Sequence, residues 1–472
     1  MARKKHIRSN ENQNIIQGAL SRGRKAYNPA KDEFVEMIKT DERMHEFEIG
    51  EKDVQYKTRK SIIEQTPLYK RNPLNGKERE DAFAAIREKW CTMESMHDLS
   101  NLLNIAIRII YGDNAKLYRE ADIRHQIIRN QKRNPYVSFR IPKRKKGEYR
   151  TIDAPRAGLR NMQKCLNLIL QTIYSPHHAA KGFVPGRSVL DNATVHIGQA
   201  FLYNIDLKDF FPSISSGRIY KRLMAKPFSL KSDVASAICD LCCCKGANGK
   251  KVLPQGAPTS PVITNIICER LDIKLTSLSK AYGLKYTRYA DDITFSGMRN
   301  MFDGSGRFCT SLKNIVENEE HFIINTSKTR LAHRGMRQEV TGLVVNQRAN
   351  VFRDYKKQVR TYLHNWEVMG YENAQLVFAQ HYIKSHFAQQ GDVQIPRMEN
   401  VISGKLKYLK MVKGETDSTY KKLVSRFDKL ENNLIPVAEA STKIEQNEGQ
   451  ILTELLHLAD IIEINSINKH GQ

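Results

Sequence analysis

Two adjacent carboxylates, Asp291 and Asp292, follow Tyr289 and Ala290 between the apolar, strand-like runs Leu284–Tyr289 and Ile293–Phe295. A strand–turn–strand hairpin would place the acidic pair at its tip. Neighbouring carboxylates repel, so a fold that holds them together usually needs cations nearby. Oxygen ligands on a tight turn suit Mg²⁺, which takes one or two carboxylates and keeps waters and substrate phosphates in its other positions. Such a pair is half of a two-metal phosphoryl-transfer site. Alone, it is equally compatible with a plain polar turn, since short motifs match by chance.

A third acid lies upstream. Phe201–Leu207 reads as a buried strand that delivers Asp206 near its end, followed by Lys208, Asp209, Phe210 and Phe211. A carboxylate at the end of a neighbouring strand would complete a metal cage with Asp291. Between the two lies Leu253-Pro254-Gln255-Gly256-Ala257-Pro258, a stiff loop opening a helix expected over Val262 to Leu271. Its glycine lets backbone approach a ligand closely, and the start of the helix can face an anion.

In this order, the Asp206 segment, the Pro-Gln-Gly loop, the Tyr-Ala-Asp-Asp hairpin and Lys328 resemble palm motifs A to D of reverse transcriptases. Four matches in register are far more specific than any one. Two finer marks resemble the retron branch: Asn192-Ala193-Thr194-Val195-His196 its Asn-Ala-x-x-His signature, and Val340-Thr341-Gly342 its Val-Thr-Gly signature. The run Lys181-Gly182-Phe183-Val184-Pro185-Gly186-Arg187-Ser188 also fits bacterial members. The resemblance covers roughly residues 95 to 430. Other defence-associated reverse transcriptases share this core and remain the alternative; they make repetitive or loosely templated DNA, in some cases primed by protein.

The resemblance implies an α+β right-handed polymerase with fingers, an antiparallel-sheet palm, a helical thumb and helical terminal additions. The implied divisions are a basic helical extension over 1–95, fingers and palm over 96–350, a thumb over 351–435 and a C-terminal amphipathic helix over 436–472. It implies RNA-templated DNA synthesis on a cognate structured noncoding RNA, in antiphage defence, from dNTPs and with two Mg²⁺ ions, or Mn²⁺ in their place. Asp206 and Asp291 would bridge the metals, Asp292 would support them, and the Leu207 carbonyl would add a ligand. Lys143, Arg150, Asp209, Phe210, Phe211, Gln255 and Lys328 would line the nucleotide site. Among these Phe211 would sit beneath the sugar and exclude a 2′-hydroxyl, whereas Phe210 better suits a core place. Asp209 has a second reading as the cap of the turn, and Lys328 as a surface lysine. Asn192 and His196 would serve RNA recognition, with helix packing as the other reading.

Composition agrees with a polyanionic partner. The 472 residues carry 76 Lys and Arg against 51 Asp and Glu, a formal charge of +25, with a mean hydropathy of −0.54. Such a surplus on a polymerase core points to nucleic acid, and the absence of a long apolar span points away from a membrane. A basic start, Met1 to His6, without a following apolar stretch leads us to expect a cytoplasmic protein. Eight cysteines include the cluster Cys239, Cys242, Cys243 and Cys244, without a second pair at zinc spacing, so reduced packed thiols are expected.

The remaining elements follow from periodicity. Residues 1 to 30 read as a basic arm and Phe34, Met37 and Ile38 as one stripe of a helix; Leu99 to Ile109 read as a stronger helix stopped by Gly112. Tyr136 to Pro155 read as a hairpin turning at Lys145-Lys146-Gly147. Basic helices with aromatics begin at Tyr355, Gly404 and Tyr420, and suit a thumb that grips a template–primer duplex through its phosphates. The acidic tail, apolar at Ile444, Ile451, Leu455, Leu458 and Ile462, reads as a helix for docking on its own domain, on an effector protein or on a second copy in a homo-oligomer.

Overall fold

The computed structural model describes residues 76–132, 134–143, 147–246, 248–386 and 395–434. The basic arm, the Phe34 helix, Lys145 and Lys146 of the hairpin turn, and the acidic C-terminal helix lie outside the described residues. The chain divides into two compact units at Phe352, and each is described by itself.

The unit that ends at Phe352 begins with α1 (Gly76–Cys91), α2 (Met96–Tyr111) and α3 (Glu120–Lys132). The second starts on a capping box, with Ser95 and Asp98 each accepting from the other's backbone, and stops at Gly112, whose φ of 85° suits glycine. Its apolar stripe, Leu99, Leu102, Leu103 and Ala106, is wholly buried. Residues 76–91, placed by sequence in an N-terminal extension, pack into the same core through Ile86 and Trp90. The hairpin β1 (Tyr136–Pro142) and β2 (Tyr149–Pro155) pairs Arg140 with Thr151 and Ile141 with Arg150. Then come α4 (Ala157–Ile173), the short α5 (Val189–Thr194) and β3 (Phe201–Asp206).

After β3 the chain forms α6 (Ser216–Met224), α7 (Ser232–Cys242), the two-residue strands β4 (Cys244–Lys245) and β5 (Lys251–Val252), and α8 (Ser260–Ala281). The last runs ten residues beyond the expected Leu271, because Leu275, Leu278 and Ser279 continue its inward face. Strands β6 (Lys285–Tyr289) and β7 (Asp292–Gly297) form the expected hairpin. Beyond them lie α9 (Arg307–Lys313), a π-helical turn, β8 (Arg330–His333) and the small pair β9 (Glu339–Val340) and β10 (Leu343–Val344).

The central antiparallel sheet has the order β6-β7-β3-β8. Its apolar residues, among them Leu202, Ile205, Ile293 and Phe295, are buried, with α8 packed along β6. The result is an α+β fold in which a helical layer backs one antiparallel sheet.

The second unit holds α10 (Arg353–His386, broken at Gly370 with φ 75°), α11 (Met398–Lys413) and α12 (Ser418–Asn432). Val359, Leu363, Trp366, Leu406, Leu409, Leu423 and Phe427 close its core. Arg360, Lys421, Lys422 and Arg426 line a cavity of about 620 Å³ in this unit. All eight cysteines are free; seven are buried and Cys91 is exposed, and burial pushes the Cys242 thiol up to about 12. Among the described residues no helix is long and apolar enough to cross a membrane.

Candidate active site

The register of β3 on β7 brings the acids together. Asp206 lies opposite Asp292, the last pair of that ladder, and the Leu207 amide donates to the Asp291 carbonyl at 3.1 Å. Asp292 also pairs with Tyr289, which leaves Ala290 and Asp291 as the tip of the hairpin. Ala290 turns the chain with a φ of 56°. Strand ends and a two-residue tip thus bring the three acidic residues to one end of the two central strands.

Their electrostatics follow from crowding. Burial, then the charge of Asp206, raises the Asp291 carboxyl, and Lys328 and Arg150 pull it back down. Burial, then Asp291 and Asp206, lifts Asp292 to about 6. The site therefore asks for positive charge. The Lys328 ammonium supplies some, at 2.9 and 3.0 Å from the two Asp206 carboxylate oxygens, with Asn325 Nδ2 donating to the second at 2.9 Å. Among the described residues no three Asp, Glu, His or Cys side chains already converge as a metal cage. The donor set nevertheless fits a hard cation: carboxylate oxygens that raise one another, one of them already partnered by an ammonium.

The other site residues fall into two groups. Arg150, on β2, acts on Asp291 only through its charge. Gln255 lies at the base of the β1–β2 hairpin, its carbonyl accepting from the Asp153 amide at 2.8 Å. Phe211 is half-buried, its ring 6.1 Å from Phe183 and 5.6 Å from Phe210. Asp209 is exposed at φ 47° in the turn after β3, where its carbonyl accepts from the Ser213 amide. That matches the turn-capping alternative. Phe210, by contrast, is 4% exposed and packs on Phe322, which makes it a core residue rather than part of a nucleotide site. Lys143 faces Glu148 across its own hairpin at 3.7 Å.

Asn192 and His196 are buried, so their side chains do not offer an RNA a direct contact. The packing reading describes them instead. His196 Nδ1 is 2.7 Å from the Ser296 hydroxyl and Nε2 is 2.7 Å from the Thr287 hydroxyl, a neutral imidazole bridging β6 and β7. Asn192 donates to the Thr341 hydroxyl, which donates to the Val189 carbonyl, so the Asn-Ala-x-x-His and Val-Thr-Gly segments touch.

Burial, then Lys285 and Lys181, lowers His196 to about 3. Its folded pKa lies below the ordinary unfolded value, so its contribution to stability is complete above that value and fades as pH falls toward the folded one. Between about pH 7.5 and 5.5 the protein should lose about 1.4 kcal/mol from this group alone. Denaturant unfolding at both pH values should show that loss in the parent and not in His196→Gln, which should itself be destabilised by about 2 kcal/mol at neutral pH.

Three comparisons bear on this arrangement. The family model for the reverse transcriptase (RNA-dependent DNA polymerase) domain matches residues 141–372. The Retron Mx162 and Mx65 reverse transcriptases of Myxococcus xanthus are 39% and 36% identical over 257 and 242 residues, which is 49% and 48% of this chain and 52% and 55% of theirs. The Retron Ec86 reverse transcriptase of Escherichia coli is 31% identical over 284 residues, 58% of this chain and 78% of that protein. The chain belongs to the retron reverse transcriptases. It spans about half the length of the two Myxococcus relatives.

Sequence reasoning passed over several residues that shape the site of this retron reverse transcriptase. Asn325 shares Asp206 with Lys328. Gly182 backs the acidic turn so closely that a Cβ there would sit 2.6 Å from the Ala290 nitrogen. Arg288 lies under the turn, fully buried, and a charged residue at an inward strand position was the available signal. Gly256 shows why the Pro-Gln-Gly loop needs its glycine. Its φ is 130°, and a Cβ would meet Ile152 Cγ2 at 2.8 Å and the Asp153 carbonyl at 3.0 Å. Gly256→Ala should push the hairpin that carries Arg150 off the loop. The expected result is a fall of about 10²-fold in kcat/KM for the nucleotide, measured by steady-state incorporation.

Proposed function

We propose that this chain is an RNA-directed DNA polymerase that copies a cognate structured noncoding RNA into DNA, acting in the cytoplasm as part of antiphage defence. The observation that carries the reading is the strand register that places Asp206 opposite Asp292 and next to the Asp291 turn, with the Lys328 ammonium on Asp206.

Phosphoryl transfer needs positioning and charge neutralisation more than covalent chemistry from the protein. Asp206, Asp291 and the Leu207 carbonyl would hold two Mg²⁺ ions, with Asp292 beside them. When bound, such ions lower the pKa of the primer hydroxyl and neutralise charge on the triphosphate and the departing pyrophosphate. Asp206 would exchange its contact with Lys328 for one with a cation, freeing that ammonium to face the triphosphate. Arg150 would clasp the same phosphates from the hairpin. Gln255 would lie against the nascent base pair, and Phe211 would close the space under the sugar so that a deoxynucleotide fits and a ribonucleotide does not. In the second unit, the basic side chains of α10 and α12 suit contacts to duplex phosphates.

Expression with the native flanking DNA, followed by sequencing of the RNA and DNA that copurify, tests the biological part. One defined RNA with a short complementary DNA supports a retron system. Long repetitive DNA would move the chain to another defence group, and RNA alone with every preparation would favour a binding scaffold.

A further inference from the structure

The acidic turn rests on a buried polar assembly that the polymerase chemistry described above does not use. Arg288, on β6, is completely buried, and its Nη1 donates to the Ala290 carbonyl at 3.1 Å. Its Nε and Nη2 donate to Asp272 Oδ1 and Oδ2 at 2.8 and 2.7 Å, and Nη2 also donates to Asn265 Oδ1 at 3.1 Å. Asp272 accepts a further bond from the Tyr286 hydroxyl at 2.7 Å. Asn265 donates from Nδ2 to the Gly182 carbonyl at 3.0 Å, and Gly182 is the residue packed against the Ala290 nitrogen. The turn is therefore held on one side by the guanidinium and on the other by the Gly182 backbone, and one asparagine ties both together.

A buried ion pair is a poor device for stability alone, since apolar residues of similar volume often serve as well or better. What the guanidinium adds is direction. It has donors enough to satisfy Asp272 with two and still aim one at the Ala290 carbonyl. That carbonyl belongs to a residue with a Cβ at positive φ, a conformation that persists when its surroundings enforce it. Asn265 and Asp272 both lie on α8, the helix that the Pro-Gln-Gly loop opens.

We propose that Arg288 is a positioning residue for DNA synthesis: held by Asp272 and Asn265, it fixes Ala290 so that Asp291 and Asp292 are presented beside Asp206. The proposal rests on the polymerase reading above. It couples the helix behind the nucleotide loop to the turn that carries the acids.

The test separates positioning from plain stability by replacing the whole pair in the full-length chain. Arg288→Met with Asp272→Leu and Tyr286→Phe removes both charges and the hydroxyl bound to them and leaves an apolar filling, which should restore a melting temperature near that of the parent. Primer extension on an RNA template should then show kcat lowered about 10²-fold, with KM for the nucleotide changed less than about threefold, as expected when only alignment of the reacting groups is lost. Arg288→Lys keeps the charge without the fork and should lower kcat at least about tenfold. A folded triple variant with parental kcat would overturn the proposal. Should the triple variant not fold, Asn265→Leu decides, since it leaves the ion pair intact. A fall of about tenfold in kcat supports the role, and an unchanged kcat overturns it. If the parent itself makes no DNA on the same template–primer, the polymerase reading fails first, and this proposal with it.

Discussion

Asp291→Asn should abolish DNA synthesis while leaving the fold intact. The side chain stands at the tip of the β6–β7 hairpin beside two other acids, and burial together with Asp206 already works against its charge. Removing that charge relieves repulsion, so thermal stability should hold or rise slightly. Activity should fall at least about 10³-fold, because a metal's charge stabilisation is worth several kcal/mol and each 1.36 kcal/mol is a factor of ten. Steady-state incorporation and a melting curve on the same preparation check both halves. Full activity in a well-folded variant would remove Asp291 from the chemistry.

The second large effect concerns the sugar. Phe211 sits half-buried between Phe210 and Phe183, with its neighbour Phe210 turned into the core against Phe322. Phe211→Val should open space for a 2′-hydroxyl without disturbing the core. Ribonucleotide incorporation relative to deoxynucleotide should rise about 10²-fold, the scale on which a single pocket contact discriminates. Competition between labelled dNTP and rNTP on one RNA template measures it. An unchanged ratio would return Phe211 to the role of a packing residue.

How much of this was legible before the structure depends on how local each signal is. The Asp206 strand and the acidic hairpin are written as short apolar runs of about six residues, and their observed bounds follow those runs closely. The Leu99 helix carries its own cap, stripe and stop, and so was readable as well. That Asp206 and the hairpin acids lie on neighbouring strands was readable, but the register that sets Asp206 opposite Asp292 joins distant segments and is not written in either one. Phe210 and Phe211 differ by one position; the sequence reading already favoured the core for Phe210, and the structure buries it against Phe322. His196 carried two readings, RNA recognition from the resemblance and helix packing, and the residue type could not choose between them. Its two hydroxyl partners lie 91 and 100 residues away. Arg288 was hidden for the same reason, its partners Asp272 and Asn265 being on a helix that the strand alone does not announce. Lys143 was one of several cations in a row, and only the hairpin register shows it beside Glu148.

The side chains of Asn192, His196 and Arg288 find their partners far along the chain, a relation that residue types alone do not display. The polar groups Asn192, His196, Asn265 and Arg288 all hold the platform beneath the acids rather than face a substrate. A retron reverse transcriptase thus places much of its buried polar chemistry behind the acidic turn.

The most direct measurement is primer extension by the purified full-length chain on an RNA of known sequence, with Mg²⁺ and all four dNTPs, followed by sequencing of the product. The account expects DNA complementary to the template, lost when the metal is chelated and lost in Asp206→Asn and Asp291→Asn. No product from a folded chain that binds the template–primer, or a product that persists in both variants, would contradict it.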